Sequence, residues 1–463
     1  MARLKIRCSD PKAGKLQAEL CESLAGKDAA FRDVFTALAD ASETFVSHFY
    51  GRLPFVLECG ELVAKRWTLE DQLSLLRHES YEVYRSSKAE RKPIQLKTGY
   101  TRFTHPAIGQ VKAHSFMADE SETPKLTEAA ARQGLETGSW VISSGNSLSP
   151  NLAEVCQALQ SSFQVPFVTT NVYISRLDSP VTAPLHTDRF DSFIMQTEGA
   201  KRWRIYATSQ EVPSWPVLDA GMTDRGKAGD VLYLEKAGAL LLDECLLPGD
   251  VVYLPRGFPH ATSTFSTASL PGAAKSKYST SLTVSLLLES VGLTVDKVLR
   301  CAAGMQEGCN ERGQCFGAEE ILMATPKHQQ LRATLPIGFL ASTVSPSLRA
   351  VSLGAEHQEV WVEAMVVKLM SLAKECGLVR WMAAGAGREA VLRRVLQHVW
   401  QSLPRATEWC KDRVYCTGCV LSQILPDQRH EVEEKALVEF PFYPEEGLMY
   451  AKSPSINSPV PTL

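Results

Sequence analysis

The pattern of apolar positions changes twice along this chain, from helical to strand-like and back to helical. The first part, up to about residue 130, contains amphipathic helical patterns such as the run from Phe31 to Phe49. A helix is predicted from Asn151 to Phe163, where apolar side chains recur on one face. Two further helices are predicted after residue 360, the first stopped by Gly377 and the second running from Arg388 to Trp400.

Six short runs between these helical regions are rich in β-branched and aromatic residues and are separated by Gly, Pro and Asp. They are Phe167 to Ser175, Asp191 to Thr197, Lys201 to Ala207, Leu240 to Cys245, Asp250 to Leu254 and Tyr278 to Leu288. Short strands with this spacing predict an antiparallel sandwich or barrel, which we place at residues 138–290. The expected fold class is therefore α+β, with no internal repeat.

Composition narrows the class of protein further. A chain of 463 residues predicts two or three domains. Its net charge of −3 argues against bulk electrostatic binding of nucleic acid, and a local basic patch is the alternative. We expect no direct sequence-specific binding of nucleic acid. No apolar run approaches the roughly 20 residues that span a bilayer, and the start lacks a secretory signal, so we expect an intracellular protein without a membrane partner. Because an intracellular protein lies in a reducing compartment, we interpret the 12 cysteines as reduced thiols.

Two histidines and an aspartate form a candidate metal site. His186 and Asp188, in APLHTDRFDSFIMQTEGAKRWRIYA, point to the same side of a strand because they are two residues apart. Without a third ligand, such a pair is as typical of a surface strand with two polar residues as it is of a metal site. His260 follows two turns in LLPGDVVYLPRGFPHATS, at the entry of a strand that a closed barrel could return to the pair. Two imidazoles and one carboxylate leave adjacent metal positions open, as in non-haem Fe(II) oxygenases, for a chelating cosubstrate and O2.

Lys201 adds a candidate anion site. The strand that leaves the predicted turn at Thr197–Ala200 places Lys201, Trp203 and Ile205 on one face, so the lysine lies on an otherwise apolar face. A buried ammonium without a partner is unfavourable by several kcal/mol, which implies a buried anion, and the C5 carboxylate of 2-oxoglutarate is the economical candidate. The alternative is a lysine whose stem packs while its charged end reaches water.

The motifs together resemble one family. The run from Asn171-Val172-Tyr173 through APLHTDRFDSFIMQTEGAKRWRIY, with LLPGDVVYLPRGFPH and SLTVS, resembles the JmjC-domain ribosomal oxygenases, also called cupin-4 proteins. The resemblance covers the central third of the chain and implies a double-stranded β-helix, or jelly-roll, core. It implies iron ligands at His186, Asp188 and His260, and binding of 2-oxoglutarate by Lys201. It also implies that Ser285 touches the cosubstrate, and strand alternation places Ser285 on one polar face with Ser281 and Thr283.

Further positions carry weaker matches. Asn171 and Tyr173 match family positions near the pocket, and are equally compatible with a sheet asparagine and a core tyrosine. Leu331 to Pro336 looks like the start of the family's helical dimerisation region. The resemblance thus implies a supporting N-terminal part at 1–137, the oxygenase core at 138–290, a dimerisation region at 291–390 and a winged-helix-like domain at 391–463 with a disordered tail.

The resemblance carries functional expectations. It implies a protein oxygenase that uses Fe(II), 2-oxoglutarate and O2 to hydroxylate a side chain, histidine in a ribosomal protein, with demethylation of histone lysine as a second activity. It implies a homodimer in the nucleus or nucleolus, with the cytoplasm as the alternative. The alternative interpretation is a catalytically silent JmjC protein-interaction module, which would lack at least one of the metal ligands or Lys201. Cys410, Cys416 and Cys419 are read as reduced thiols, with a zinc knuckle as the alternative.

Overall fold

The computed structural model describes most of the chain, with gaps. The described residues are 4–77, 82–86, 91–95, 101–107, 110–115, 128–142, 145–147, 149–165, 168–188, 190–209, 226, 231–265, 276–286, 293–307, 317–348, 355–383, 386–410, 413–414 and 438–439.

The α-helices of the described part are α1 (Lys12–Ser23), α2 (Phe31–Asp40), α3 (Leu69–Arg77), α4 (Glu128–Thr137), α5 (Pro150–Phe163), α6 (Val295–Glu307), α7 (Ala318–Ala324), α8 (Gln329–Arg332), α9 (Ala355–Glu375), α10 (Val379–Ala383) and α11 (Ala386–Cys410). Its strands are β1 (Lys5–Arg7), β2 (Phe55–Glu58), β3 (Glu82–Ser86), β4 (Arg91–Gln95), β5 (Thr101–Ala107), β6 (Gln110–Ser115), β7 (Ser139–Ile142), β8 (Val168–Arg176), β9 (Ala183–His186), β10 (Asp191–Glu198), β11 (Lys201–Tyr206), β12 (Leu240–Leu246), β13 (Asp250–Leu254), β14 (His260–Ser263), β15 (Tyr278–Leu286), β16 (Arg413–Val414) and β17 (Val438–Glu439). A π-helix covers Ser42–Phe49.

Two antiparallel sheets form the central part of the molecule. The larger has nine strands in the order β1-β2-β13-β10-β15-β8-β7-β5-β6, and the smaller has four in the order β12-β11-β14-β9. Each of the six strand runs predicted from the sequence lies in one of these sheets. The prediction of a mixed fold with an antiparallel barrel-like core is therefore confirmed.

Apolar side chains on the two faces of the large sheet belong to separate cores. One core lies between the sheets, because it joins Ile194 and Val252 of the large sheet to Trp203 and Ile205 of the small one. The other core covers the opposite face, where Phe193 of β10 packs with residues of α2 and α5. Strand β10 is buried on both faces and so separates the helical layer from the barrel interior.

Local sequence explains how α5 begins and ends. Ser149 at its N-cap accepts a hydrogen bond from the backbone N–H of Asn151 at 3.2 Å, and Pro150 occupies the first turn, where its missing N–H has no consequence. Gln164 ends the helix in the left-handed region, with φ of 51°. The helix predicted at Asn151 to Phe163 is thus one residue longer.

The N-terminal part contributes strands to the barrel as well as helices. Strand β2 pairs with β13, and β1 pairs with β2. Arg7 of β1 forms ion pairs of 2.9 Å with both Glu58 and Asp250, which joins three consecutive strands of the sheet. The sequence of this region predicts only helical patterns, so these strands are found only in the structure.

The C-terminal region is helical, as its pattern predicts. Helix α9 ends two residues before Gly377, whose φ is 68°. Helix α11 continues without a break through residues 390 and 391, where the boundary between the dimerisation region and the C-terminal domain is expected. Whether 291–390 and 391–463 are separate units stays a prediction, and Cys416 and Cys419 lie outside the described residues. Among the helices that the structure describes, none is both long and apolar enough to cross a membrane.

Candidate metal centre

Three neighbouring segments at one end of the small sheet carry the predicted metal ligands. His186 is the last residue of β9 and His260 the first of β14, and the two are directly paired across the strands. Asp188 follows β9 by two residues. Its backbone carbonyl accepts a 2.7 Å hydrogen bond from the N–H of Gly257, which adopts a φ of 75° that suits glycine. The Arg256–Gly257 turn therefore fixes the Asp188 loop beside His260.

The side chains of these three residues converge. The Nε2 atom of His260 lies 3.5 Å from Oδ2 of Asp188, and that of His186 lies 4.0 Å from the same oxygen. One ligand atom from each residue lies within 4.8 Å of the other two. The structure thus brings together the residues that the sequence analysis selected from separate motifs.

Hydrogen bonds to the backbone set the orientation of both imidazoles. Nδ1 of His186 lies 2.7 Å from the carbonyl oxygen of Pro184, and Nδ1 of His260 lies 2.9 Å from that of Phe258. Because a carbonyl oxygen only accepts, each Nδ1 must donate, which leaves Nε2 of the neutral ring as a lone-pair donor facing Asp188. Two such nitrogens and a carboxylate oxygen fit a divalent first-row metal ion.

Trp203 packs against this centre from the barrel interior. Its ring stacks on that of His260 with a centroid distance of 5.7 Å and an interplanar angle of 19°. Its indole Nε1 is buried and has no hydrogen-bond partner among the described residues. Strand alternation places Trp203 on the same face as Lys201 but does not predict its stacking on His260, because that contact depends on the pairing of β11 with β14.

Lys201 points into the same interior, at the opposite end of β11. The residue is 3% exposed, and burial lowers the pKa of its ammonium group to about 8. Its Nζ lies 6.0 Å from the centroid of the Tyr173 ring. Within the described part of the chain no carboxylate forms an ion pair with Lys201, so this positive charge lacks a described counter-ion. A bound anion is the ordinary solution for such a site.

The other predicted pocket residues line the inner face of the large sheet at two levels. Near the metal ligands, Ser285 of β15 is paired with Ser192 of β10, and their hydroxyl oxygens are 3.0 Å apart. Thr283, two residues along, is paired with Asn171 of β8. Nearer Lys201, Tyr173 is paired with Ser281, whose Oγ is buried without a hydrogen-bond partner among the residues described.

A buried polar cluster behind the metal centre was missed by the sequence analysis. Asp191 is fully buried and accepts a 2.6 Å hydrogen bond from the hydroxyl of Tyr253. The Arg256 Nε lies 3.8 Å from the other oxygen of this carboxylate. The signal available in the sequence was an aspartate at the start of a strand whose central residues, Phe193 to Met195, are apolar. The cluster ties the segment after Asp188 to the turn before His260.

Comparison with known proteins agrees with this geometry. Residues 144–283 match the family model for the JmjC domain. Over this stretch, which is less than half of the chain, the sequence is similar to the JmjC domain. The match contains the three candidate metal ligands, Lys201 and Ser281, and ends two residues before Ser285. The resemblance stated from the motifs is therefore confirmed for the central part of the chain.

Curated relatives match the same region. A protein of Drosophila pseudoobscura pseudoobscura, named bifunctional lysine-specific demethylase and histidyl-hydroxylase NO66, is 37% identical over 113 residues, which are 24% of this chain and 10% of that protein. Its namesake from Drosophila willistoni is 26% identical over 206 residues, 40% of this chain and 25% of that protein. The chain thus spans about a quarter or less of the length of these curated relatives.

The sequence identity to solved structures is lower than that to the curated relatives. The ribosomal oxygenase YcfD from Escherichia coli, in complex with cobalt and 2-oxoglutarate, is 17% identical, with 57% of each chain covered and a TM-score of 0.33.

Proposed function

We propose that this chain is an Fe(II)- and 2-oxoglutarate-dependent protein oxygenase. The observation that carries the proposal is the convergence of His186, Asp188 and His260 at one end of a barrel whose interior also holds the buried Lys201. The JmjC-domain match and the names of the curated relatives support the same activity. O2 would be the second substrate of the reaction.

The chain's own residues prepare the site for this chemistry. His186, Asp188 and His260 would hold the iron, and Lys201 would bind the distal carboxylate of 2-oxoglutarate. Iron with these cosubstrates supplies the oxidation of a C–H bond of the target side chain, with succinate and CO2 as co-products. The hydrogen bonds from each Nδ1 keep both imidazoles in the tautomer that binds metal, and the stacking of Trp203 holds the ring of His260 in place.

The target we propose is a side chain of a ribosomal protein, histidine first, with N-methyl-lysine of a histone as the second candidate. The names of the relatives supply the histidine and the lysine, and the family resemblance of the motifs supplies the ribosomal protein and the histone. The same oxidation of a C–H bond serves either substrate. Intact-mass measurement of candidate ribosomal proteins and methylated histone peptides, after incubation with enzyme, Fe(II) and 2-oxoglutarate, tests this. A gain of one oxygen identifies a hydroxylase and a loss of methyl groups a demethylase. No mass change in any candidate would refute this choice of substrate.

A catalytically silent interaction module is the second candidate function. It predicts that a metal ligand or the buried lysine is lost, whereas all four are present in this chain. Formation of succinate by the purified protein with Fe(II) and 2-oxoglutarate separates the two. An active oxygenase forms succinate slowly even without its protein substrate, and an Asp188→Asn variant should not.

The assembly and location follow from the resemblance alone. We propose a homodimer formed through the helices of residues 291–390, and a nuclear or nucleolar protein. Light scattering coupled to size exclusion gives the molar mass, for which the expected value is twice the 51.0 kDa of one chain. A mass of one chain at micromolar concentration would contradict the dimer.

A further inference from the structure

A buried ion pair lies directly behind the metal ligands. Asp191, the first residue of β10, is fully buried, and Arg256, in the turn before β14, has a side chain that is 12% exposed. The Nε atom of Arg256 is 3.8 Å from Oδ2 of Asp191. Among the described residues, the group of possible metal ligands contains His186, Asp188 and His260 and neither member of this pair. The pair therefore has a role other than direct coordination of the ion.

The large sheet fixes the position of the Asp191 carboxylate. The backbone of Asp191 is paired with Leu286 of β15, and its Oδ1 accepts a 2.6 Å hydrogen bond from the hydroxyl of Tyr253 on β13. That hydroxyl in turn accepts a 2.7 Å hydrogen bond from the backbone N–H of Gly51. The carboxylate is thus a negative charge in a fixed place, to which the guanidinium of Arg256 is attracted.

The three ligands depend on this pair to different extents. His186 and His260 are paired directly across β9 and β14, so the small sheet holds both. Asp188 lies beyond the end of β9, and its backbone carbonyl accepts a 2.7 Å hydrogen bond from the N–H of Gly257, the residue after Arg256. A shift of the turn at Arg256 and Gly257 would therefore move Asp188 more than it moves either histidine.

A metal site tolerates little movement of this kind. Oδ2 of Asp188 lies 3.5 Å from Nε2 of His260 and 4.0 Å from that of His186. Metal–ligand distances are defined to about 0.2 Å, so a carboxylate that moves by more than this binds the ion less well. A buried ion pair is weak evidence for a gain in stability, because desolvation offsets the attraction between the charges. Its main effect is therefore expected on the position of Asp188.

We propose that Asp191 and Arg256 are positioning residues for the metal ligand Asp188. This inference rests on the proposed function. The fixed carboxylate of Asp191 holds the guanidinium of Arg256, and the turn that carries Arg256 holds the Asp188 segment through Gly257. The affinity for a divalent metal ion then depends on two charges that do not touch the ion.

Calorimetric titration of Co(II) into the full chain tests the assignment. A double variant, Asp191→Asn with Arg256→Met, removes both charges and keeps an oxygen that accepts the hydrogen bond from Tyr253. It leaves neither member of the pair as an isolated buried charge, so its melting temperature should be close to that of the unmodified chain. It should bind Co(II) about 10–100-fold more weakly, the usual effect of losing groups that support metal ligands. Arg256→Lys keeps the cation and should lose less affinity than the double variant.

Leu369→Ala is the control for stability. This leucine is fully buried in α9, and its truncation should lower the melting temperature while leaving the affinity for Co(II) unchanged. The visible absorption spectrum of the Co(II)-loaded chain gives a second measurement, because it depends on the arrangement of ligands around the ion. The spectrum should change in the double variant and stay that of the unmodified chain in Leu369→Ala.

The remaining outcomes separate this inference from the proposed function. If the unmodified chain does not bind Co(II), the proposed function itself fails. If it binds, and the double variant binds equally well with the same spectrum, the positioning role is refuted. The same holds if Leu369→Ala weakens binding to the same extent as the double variant. A double variant that does not fold would show that the pair serves the stability of the barrel, and would also refute the proposal.

Discussion

The charge of Lys201 is the feature of a single residue on which the proposed binding of 2-oxoglutarate depends. Its ammonium group lies in the barrel interior without a described counter-ion, and burial alone lowers its pKa to about 8. A bound carboxylate reverses this effect by favouring the charged form, since an opposite charge nearby stabilises it. Binding of the anion and protonation of Lys201 are therefore linked.

This linkage predicts the pH dependence of anion binding. In the free protein Lys201 loses its proton as pH rises through about 8, so the affinity for 2-oxoglutarate should decrease above that value, well before an ordinary lysine titrates. Titrations across pH values that bracket this pKa measure the effect. A Lys201→Met variant should bind more weakly and lose this dependence. A flat profile in the unmodified chain would contradict the buried, unpaired state.

Asp191 offers a residue-scale test of the cluster behind the metal centre. Tyr253→Phe removes the 2.6 Å hydrogen bond to the fully buried carboxylate and the 2.7 Å hydrogen bond that the hydroxyl accepts from the N–H of Gly51. It should lower the free energy of unfolding by about 1–3 kcal/mol. The control is Tyr278→Phe, whose hydroxyl lies 3.5 Å from Glu136 at the surface and should change stability by less than about 0.5 kcal/mol. Urea unfolding measures both, and equal effects would refute a special role for the buried pair.

For single residues, the sequence predicted which face of a strand a side chain occupies better than it predicted how far along the barrel that side chain lies. Strand alternation correctly placed Lys201 inside, and placed Ser281, Thr283 and Ser285 on one face. It could not determine which serine lies beside Lys201, because that depends on how β15 pairs with β8 and β10. A shift of two residues in that pairing leaves the alternation unchanged.

At the scale of elements, the hairpin between β10 and β11 positions Lys201. Gly199 in this turn has a φ of 64°, and a Cβ there would lie 2.1 Å from the carbonyl oxygen of Tyr278. The turn therefore requires glycine, both for its backbone conformation and for its closeness to β15. The orientation of Lys201 follows from this turn.

Replacing this glycine should destabilise the protein. Gly199→Ala is expected to lower the free energy of unfolding by more than about 1 kcal/mol and to weaken 2-oxoglutarate binding, because the start of β11 must move. Gly14→Ala is the control, since it lies in α1 with open space around its Cβ position and should stabilise the helix by about 0.5–1 kcal/mol. Similar effects of the two substitutions would contradict the account of the turn.

Elements with a long apolar pattern were predictable, and the short N-terminal strands were not. Helix α9 and strands such as β10 and β15 carry several periods of their pattern, so the sequence identified them. Strands β1 and β2 have three and four residues, too few to establish a period. They are strands because β13, nearly 200 residues later, offers an edge to pair with.

At the scale of the whole molecule, an aromatic cluster joins the C-terminal part to the barrel's helical layer. Phe339, in the segment after α8, packs against Tyr50 at 4.9 Å and Phe163 at 5.0 Å between ring centroids. Phe45 stacks on the same ring at 6.2 Å. Because these residues belong to one core, the two parts should unfold together.

Phe339→Ala tests this coupling. It should lower the free energy of unfolding by about 3–5 kcal/mol and leave a single transition, since the cavity lies where the two parts meet. Met323→Ala, at a side chain that is 69% exposed, should have little effect. Calorimetry that resolves two transitions in the unmodified chain would show that the parts unfold independently.

The central claim is that His186, Asp188 and His260 hold one metal ion to which 2-oxoglutarate binds. Anaerobic calorimetric titration of Fe(II), followed by 2-oxoglutarate, measures this directly in the unmodified chain, in Asp188→Asn and in the surface control Asp178→Asn. We expect one ion per chain and metal-dependent 2-oxoglutarate binding in the unmodified chain and the control, and the loss of both in Asp188→Asn. Equal binding by all three proteins, or none by the unmodified chain, would contradict it.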